Sequence, residues 1–323
     1  MRILLVTHAD LAKDPNHYVS RFVAGLTELA DVVIACWEDM ASPSFLDASR
    51  AAGASPSGFD VCLLFVRFRL LAEATPFDWS GFGGRRVWLE HDAWNNYSPA
   101  HARWHGRYPA VYERDRFHLM ISTGRQTTQL LRRDGVNAQW VPKGYSDDVF
   151  HDLGLERSGT CTFGTMWPSR RALIHHLRGR GIEVIDVSGP FGSLNERLNA
   201  HVAGVVCNMP GLAPFGRAGR AINRLIPSFV RTWPAVEPMI KTFETAAAGC
   251  APIVDHLEEL EDLGFVNGAT CLTYRTFDEA SEVLLSADPA ELRAIGTAAA
   301  ALARTRHTWR HRAVDVLGLL EGM

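Results

Sequence analysis

The sequence predicts an α/β protein of two Rossmann-like domains, each a doubly wound parallel sheet with helices on both faces. The chain has 323 residues, which suits two domains that each bury a core. Apolar runs typical of strands alternate with helical patterns throughout, as in successive βαβ units. The two halves show no sequence repetition. We therefore expect two consecutive α/β domains facing each other across a cleft, with ligands at the carboxyl ends of their strands.

The first half contains a regular series of predicted strands. They are Arg2–Thr7, Asp31–Cys36, Val61–Val66, Arg86–Glu90, His118–Ser122 and Ala138–Val141. Helical patterns lie between them, such as His17–Leu29 and Thr127–Arg133. The loop from Thr7 to Pro15 contains no glycine, whereas a dinucleotide-binding fingerprint needs glycines there. This loop argues against a hydride-transfer enzyme.

The second half repeats the rhythm after a polar stretch that is typical of an interdomain linker, around residues 142–158. Its predicted strands are Thr160–Gly164, Glu183–Ser188, Val202–Cys207, Ala251–Val254 and Thr270–Thr273. Predicted helices include Arg171–Arg178 and Phe277–Leu285. The tail from Pro289 to Leu320 indicates two helices separated near Arg306 to Thr308.

The stretch from Glu237 to Asp255 predicts a helix over roughly 238–248, followed at once by a buried strand. Pro238 suits a first helical turn, Gly249 suits the left-handed stop position, and Pro252 prevents continuation. Helical spacing separates an apolar stripe from a charged one. The apolar stripe is Ile240, Phe243 and Ala247, and the charged stripe is Glu237, Lys241 and Glu244.

The charged stripe has two interpretations. Lys241 near a helix N-terminus offers a seat for a diphosphate, and Glu244 one turn later offers an acceptor for sugar hydroxyls. Alternatively, the three side chains form an exposed ladder worth roughly 0.3–0.5 kcal/mol per pair. Spacing alone does not decide between them.

Lys241-Thr242-Phe243-Glu244, followed by Ala-Ala-Ala-Gly and Pro-Ile-Val, resembles the signature of GT-B nucleotide-sugar glycosyltransferases. The similarity is to the retaining group 1 superfamily, especially its CgeB-like branch. It implies that Glu244 binds the donor ribose, that Lys241 binds the donor diphosphate, and that Thr242 and Phe243 belong to the donor site. It also implies a contact from Glu237 to the transferred sugar, although the superfamily often places that glutamate eight residues before the ribose-binding one and here the spacing is seven.

The resemblance also implies the domain boundaries. The segment from Pro142 to Phe150 looks like the one that closes the N-terminal domain in the superfamily, which divides the chain into an acceptor domain, 1–150, and a donor domain, 151–307. In resembling proteins the last helix returns to the N-terminal domain, here residues 308–323. Val314, Leu317 and Leu320 are its expected apolar face.

A second donor-binding candidate follows the first strand of the second domain. Gly164 permits close approach of a backbone, and an arginine early in the next helix grips a phosphate in two places. The similarity to the superfamily implies that Arg170, or else its neighbour Arg171, is the second cation for the diphosphate. The alternative is that both arginines are solvated residues at a helix start.

His91 and Asp92 end a predicted strand of the first domain, where the superfamily carries residues close to the transferred sugar and the acceptor. A histidine there orients or deprotonates an acceptor hydroxyl. The alternative is a strand-end histidine bonded to backbone. His101 and His105 have the spacing of a helical zinc pair, to which His91 or Asp92 would add, but no HExxH pattern or cysteine cluster accompanies them. The aromatic segment from Trp94 to Tyr112 is instead a candidate acceptor pocket.

An arginine-rich segment, 211–233, precedes the signature helix. It predicts a solvated helix, a lid or a nucleic-acid surface, and the net charge of −3 favours the first two. Its arginines are Arg217, Arg220, Arg224 and Arg231.

Composition and absent motifs narrow the function classes. Hydrophobic residues make up 47% and charged residues 21%, which is typical of a soluble globular protein. No apolar run approaches the roughly 20 residues of a membrane span, and no signal peptide is evident. The six cysteines lie far apart without a CxxC pair, which favours reduced thiols and a cytoplasmic location. Walker A and GxSxG motifs are absent.

These observations and the resemblance predict a glycosyltransferase that moves a sugar from a nucleotide-diphosphate donor to an acceptor hydroxyl. Lys241, Arg170 and helix-terminal amides would stabilise the departing diphosphate, so no metal or other cofactor is expected. The resemblance implies retention of configuration. One alternative is an epimerase or hydrolase of the same fold, and another is a protein that binds sugar nucleotides without turnover. The donor base, the sugar and the acceptor stay open.

Overall fold

The computed structural model describes residues 1–9, 11, 14, 17, 19–208 and 237–323. The chain divides into two compact units. Unit 1 comprises Met1–Tyr97, His101–Lys143 and Trp309–Met323. Unit 2 comprises Ser98–Ala100 and Gly144–Thr308. Apart from Ser98–Ala100, the chain therefore leaves unit 1 after Lys143, before the predicted boundary at residue 150, and re-enters it at Trp309.

Unit 1 is built on a six-stranded parallel sheet with the order β2-β1-β3-β4-β5-β6. The strands are β1 (Arg2–Thr7), β2 (Asp31–Cys36), β3 (Val61–Phe65), β4 (Arg85–Glu90), β5 (Leu119–Ser122) and β6 (Ala138–Trp140). The described helices are α1 (Ser20–Leu29), α2 (Phe45–Ala51), α3 (Phe68–Glu73), α4 (Arg107–Arg114) and α5 (Arg125–Arg133). Every residue of β3 is buried, because helices cover both faces of this parallel sheet.

Unit 2 has a five-stranded parallel sheet with the order β11-β10-β9-β7-β8. The strands are β7 (Thr160–Thr162), β8 (Val184–Asp186), β9 (Ala203–Val206), β10 (Ala251–Asp255) and β11 (Leu272–Tyr274). The described helices are α6 (Pro168–Gly179), α7 (Leu194–Asn199), α8 (Ile240–Ala247), α9 (Glu258–Asp262), α10 (Phe277–Ser286) and α11 (Pro289–Arg306). The last helix of the chain, α12 (Trp309–Glu321), belongs to unit 1.

The predicted fold class is confirmed, since both units are parallel-sheet α/β domains of the Rossmann type. β1 and β2 have the predicted bounds, and the other strands differ from the predicted ones by one or two residues at one or both ends. Thr160–Gly164 shows why the ends differ. β7 ends at Thr162, and Gly164 takes a φ of +81° in the loop that follows. Sequence patterns locate a buried run well but do not show where pairing stops.

The helix predicted over roughly 238–248 is α8, which is shorter. It begins at Ile240, so Pro238 precedes the helix and does not lie in its first turn. Gly249 has a φ of +77°, as expected for a left-handed stop. β10 follows directly and places Pro252 inside a strand.

α12 packs against α1, where Gly25 allows the two backbones to approach. A Cβ on Gly25 would lie 3.2 Å from the Cβ of Ala313. The predicted apolar face was wrong in one member, because Val314 is 50% exposed, whereas Leu317 and Leu320 are buried. The buried side of the helix instead includes Trp309, Arg312, Ala313 and Val316. The sequence does not show which side of a short helix meets its neighbour.

No helix in the described part of the chain is both long and apolar enough to cross a bilayer. All six cysteines are buried free thiols.

Candidate functional site

The side chain of Lys241 packs against Gly164 at the carboxyl edge of the unit 2 sheet. The lysine lies in the first turn of α8, and its side chain crosses the face of the glycine so closely that a Cβ there would lie 2.7 Å from Nζ. Nζ also lies 5.6 Å from the ring centroid of Phe163. The N–H of Gly164 donates to Ser188 Oγ at 2.8 Å. Gly164 therefore makes room for a cation and does not direct its own amide at a ligand.

Glu244 lies one turn after Lys241 and is 5% exposed. Lys241 acts on its carboxylate by charge, and none of the described residues donates a hydrogen bond to it. Burial raises the pKa of Glu244 to about 7, and the nearby Lys241 charge offsets part of that rise. The alternative of an exposed charged ladder is therefore wrong. Glu237 does not belong to an exposed ladder either, because this residue is 1% exposed and precedes the helix.

A buried pair of polar side chains, Asn208 and Asp255, supports the N-terminus of α8. The backbone N–H of Asn208 and its side-chain amide donate to Asp255 Oδ1 at 2.7 and 2.9 Å. Asn208 Oδ1 accepts from the N–H of Met239 at 2.9 Å, just before the helix begins. Thr242 Oγ1 donates to the same oxygen at 3.4 Å. This network ties the ends of β9 and β10 to the turn that carries Lys241.

Asp255 is ionised less readily than an exposed aspartate. Burial raises its pKa to about 6, while the amide hydrogen bonds from Asn208 and the charge of Arg170 lower it. Its second oxygen, Oδ2, is buried and has no hydrogen-bond partner among the described residues.

The guanidinium of Arg170, predicted as a cation for the diphosphate, contacts backbone carbonyls. Its Nη1 donates to the carbonyls of Phe163 and Thr165 at 2.9 and 2.7 Å, and its Nη2 donates to the carbonyl of Cys207 at 3.4 Å. The side chain is buried beneath the loop between β7 and α6. Since these donors hold backbone carbonyls, Arg170 supports the loop that contains Gly164. Arg171 is exposed in the first turn of α6.

The two residues between Lys241 and Glu244 face inward. Phe243 is fully buried and packs against Phe265 and His307, with ring centroids 5.7 and 5.1 Å away. The Phe243 side chain therefore belongs to the core, and a contact from this residue to the donor stays a prediction. Thr242 is also fully buried and contributes through Asn208.

Unit 1 has a cavity of about 310 Å³ beyond the ends of β1, β3 and β4, and His91 and Asp92 both line it. The His91 imidazole lies parallel to the Trp309 indole, with centroids 5.5 Å apart and planes at 5°. Burial, and then the charges of Lys143 and His17, hold the pKa of His91 well below its usual value of 6.5. The imidazole is therefore neutral at physiological pH.

Asp92 lines the same cavity with an exposed side chain. Its Oδ1 accepts from Trp94 Nε1 at 3.2 Å and lies 3.9 Å from Lys143 Nζ. Its backbone N–H donates to Glu90 Oε1 at 2.9 Å, and its carbonyl accepts from the hydroxyl of Tyr108 at 3.1 Å. The predicted pair at the end of β4 therefore shares one pocket wall.

The hypothesis of a helical zinc pair is wrong in its geometry. Residues Pro99–Trp104 form 3-10 turns with a kink at His101, so His101 and His105 do not lie one α-helical turn apart. His101 lines the cavity, and its ring packs edge-on against Trp94 at 5.2 Å. Within the described ranges, no three His, Cys, Asp or Glu side chains come together as a metal site.

Sequence reasoning missed several residues that shape the two sites. Asp255 ends an apolar run and so had a signal, because polar residues at the carboxyl ends of parallel strands often face a ligand. Lys143 was assigned to a linker, and Asn208 and Trp309 were assigned no role, since their contacts join distant parts of the chain. The arginine-rich segment, 211–233, lies outside the described residues.

A family model described as glycosyl transferase-like matches residues 170–318. This stretch takes in most of unit 2, including Arg170, Lys241 and Glu244, and part of α12. No curated protein sequence matches the chain at a significant level.

Several solved structures resemble the whole chain. Sucrose-phosphate synthase from Thermosynechococcus elongatus has a TM-score of 0.62 and 13% identity, over 100% of this chain and 99% of that one. HepE from Anabaena, in complex with UDP-glucose, has a TM-score of 0.62 and 11% identity, over 100% of both chains. The DNA-modifying β-glucosyltransferase has a TM-score of 0.57 and 10% identity, again over both full lengths. At these identities the likeness establishes the fold, which is that of GT-B glycosyltransferases.

Proposed function

We propose that this chain is a glycosyltransferase that moves a sugar from a nucleotide-diphosphate donor to an acceptor hydroxyl. Unit 2 binds the donor and unit 1 binds the acceptor. The observation that carries the proposal is the placement of Lys241 across Gly164, one turn before the buried carboxylate of Glu244. The family model over residues 170–318 supports the same reaction class.

Lys241 binds the donor diphosphate in this proposal. As the glycosidic bond breaks, negative charge grows on the leaving diphosphate, and a preorganised cation stabilises that charge. The N-terminus of α8 adds amide donors and the positive end of a helix dipole. Because the Arg170 guanidinium donates to backbone carbonyls, the proposal takes the exposed Arg171 as the second cation for the diphosphate. Protein cations in this role make a metal unnecessary.

Glu244 accepts hydrogen bonds from the ribose hydroxyls of the donor. A buried carboxylate without hydrogen-bond donors is costly, and two ribose hydroxyls would supply the donors that the described residues do not. Donor binding therefore favours the ionised form of a group whose pKa burial raises to about 7. The contact from Glu237 to the transferred sugar remains part of the proposal.

His91 contacts the hydroxyl of the acceptor in unit 1. A neutral imidazole at the cavity wall accepts a hydrogen bond from an acceptor hydroxyl and takes up its proton as the new bond forms. Asp92 shares that wall and adds a second acceptor for hydroxyls. Aromatic side chains such as Phe65 and Trp104 line the cavity and give it an apolar wall that suits a sugar or a planar aglycone. Retention of configuration and the CgeB-like branch stay predictions from the resemblance.

The donor assignment is tested by thermal shift of the full chain against UDP-, GDP-, dTDP- and ADP-sugars, with and without EDTA. Ligand binding to the native state at a hundredfold excess over Kd stabilises by about 2.7 kcal/mol. We expect a shift with one nucleotide class that EDTA does not abolish. Lys241→Met and Glu244→Ala should each reduce it, while Arg180→Ala, at the far end of α6, should leave it unchanged.

The products distinguish the reaction from its alternatives. A glycosyltransferase releases the nucleoside diphosphate and leaves the sugar on an acceptor, whereas a hydrolase releases free sugar and an epimerase returns a changed sugar nucleotide. A chain that binds the donor but yields none of these would be a binding protein. No shift with any nucleotide sugar would contradict the donor site itself.

A further inference from the structure

The C-terminal helix contributes an aromatic ring to the unit 1 site. Trp309 is the first residue of α12 and is 1% exposed. Its indole is parallel to the His91 imidazole within 5°, at 5.5 Å between centroids. The imidazole also contacts Phe65, whose ring centroid is 4.6 Å away at 54°. Phe22 of α1 packs edge-on against both Phe65 and Trp309, at 5.6 and 6.1 Å. Phe22 therefore packs against the indole as well as against Phe65.

A second contact anchors the first turn of α12 to the same site. Arg312 is buried, and its Nε donates to the carbonyl of Lys143 at 3.0 Å. Lys143 Nζ in turn lies 3.9 Å from Asp92 Oδ1. α12 thus contacts His91 directly and reaches Asp92 through Lys143, so one helix supports both predicted reactive side chains of unit 1.

The parallel geometry matters because the two imidazole nitrogens lie in the plane of the ring. A ring turned about its bond to Cβ would lose this parallel contact with the indole. Aromatic pairs prefer offset-stacked or edge-to-face arrangements, so the parallel contact is a favourable one that holds the imidazole in one plane. A fixed plane sets the direction in which the ring nitrogens accept or donate, and a proton transfer depends strongly on that direction.

We propose that Trp309 is a positioning residue, whose indole fixes the plane of the His91 imidazole at the wall of the unit 1 cavity. α12 is then part of the reactive site of unit 1 in addition to packing on α1. The inference rests on the proposed function, in which His91 receives the proton of the acceptor hydroxyl. Trp309 acts through His91 and does not need to touch the substrate.

The ring arrangement is tested first by NMR of the full chain with 13C-labelled histidine, with His91→Gln to assign the resonance. We expect the His91 ring signal to be displaced by the indole ring current. Trp309→Leu should abolish the displacement and broaden the signal, and Trp309→Phe should keep much of it. Val316→Ala, a buried change on the same helix, is the matched control and should leave it in place. An unchanged His91 signal in Trp309→Leu would overturn the proposal.

The consequence for reactivity is tested with UDP-glucose as donor and water as acceptor. We expect Trp309→Leu to lower kcat on the order of tenfold to a hundredfold, because misplacement of a reacting group by about 1 Å costs that much. The donor KM should stay within about twofold, since the donor site is in unit 2. Trp309→Phe should recover most of kcat, and combining Trp309→Leu with His91→Gln should add no further loss. Wild-type kcat in Trp309→Leu, or losses that multiply in the double variant, would contradict positioning through His91.

The failure of this inference is distinguishable from failure of the proposed function. If the wild-type chain binds no nucleotide sugar, the donor site is refuted, whatever the Trp309 variants show. If the wild-type chain binds the donor but Trp309→Leu leaves the His91 signal and kcat unchanged, only the role of the indole is refuted. If UDP-glucose is not turned over, the NMR comparison decides alone.

Discussion

Lys241 occupies the space that a side chain on residue 164 would need. A Cβ there would lie 2.7 Å from Lys241 Nζ and 3.3 Å from its Cδ, and Gly164 has a φ of +81°. The glycine between β7 and α6 therefore determines where the cation of α8 rests. This relationship joins two motifs that lie far apart in the sequence and makes one site of them.

Gly164→Ala should displace Lys241 and weaken donor binding. The methyl group would push the lysine away, and the positive φ adds strain of about 1–2 kcal/mol. A hydrogen bond to a charged group is worth about 1.5–3 kcal/mol, so the donor Kd should rise about tenfold or more. Gly179→Ala is the control, because a Cβ there meets nothing within 4 Å. Calorimetric titration with the donor measures both variants, and an unchanged Kd in Gly164→Ala would contradict the donor site.

Glu244→Gln should make the unliganded protein more stable at neutral pH. Burial raises the pKa of Glu244 from 4.5 to about 7, so the folded state holds this proton where the unfolded chain has lost it. The contribution of Glu244 to stability is therefore fully present below pH 4.5 and lost as pH rises to about 7, by up to about 3 kcal/mol. The variant lacks this loss, so its advantage over the wild type should grow across that interval in calorimetric scans. The same change should weaken donor binding, and equal pH dependence in both proteins would contradict the assignment.

Asn208→Ala should destabilise unit 2 and the donor seat together. It removes the side-chain amide that donates to Asp255 Oδ1 and leaves the N–H of Met239 without its acceptor, at a cost of about 1–3 kcal/mol, while the backbone N–H of residue 208 still donates to Asp255. Asn137→Ala removes an exposed side-chain hydrogen bond to the carbonyl of His118 and should cost less than about 1 kcal/mol. Calorimetry that resolves the two units makes the comparison. Equal small losses would show that the Asn208 network does not support α8.

Lys143→Met should raise the pKa of His91, because the lysine charge disfavours the imidazolium. The pKa should still stay below 6.5, since burial is the larger cause. An NMR titration of labelled histidine measures it, and Arg133→Met at the end of α5 serves as the control. A pKa that falls or does not move would contradict the placement of the ammonium beside this site.

Much of the fold was predictable because its signal is local. A buried parallel strand is a short continuous apolar run, and β1 and β2 were located from their sequences with the observed ends. The stop at Gly249 was also visible, because it depends on one residue and its φ. By contrast, Pro238 suggested an earlier helix start than the one observed at Ile240, where Asn208 bonds to the preceding turn.

The candidate sites were predictable only in part. Lys241 and Glu244 lie on one helix, so their spacing placed them together. Arg170 and Phe243 were assigned to the donor from adjacent positions in motifs, yet one side chain binds backbone carbonyls and the other lies in the core. Neighbours in sequence point in different directions on a helix, and only the packing shows which side is buried.

The sequence by itself determined the α/β class, the succession of elements and the pairing of a lysine with a glutamate on one short helix, because periodicity and turn residues act over a few positions. Only the tertiary structure decided that Gly164 makes room for Lys241, that Asp255 holds Asn208, and that Trp309 lies on His91. Each of these contacts joins segments distant in sequence. Their geometry follows from how helices pack on a sheet, which no local pattern encodes.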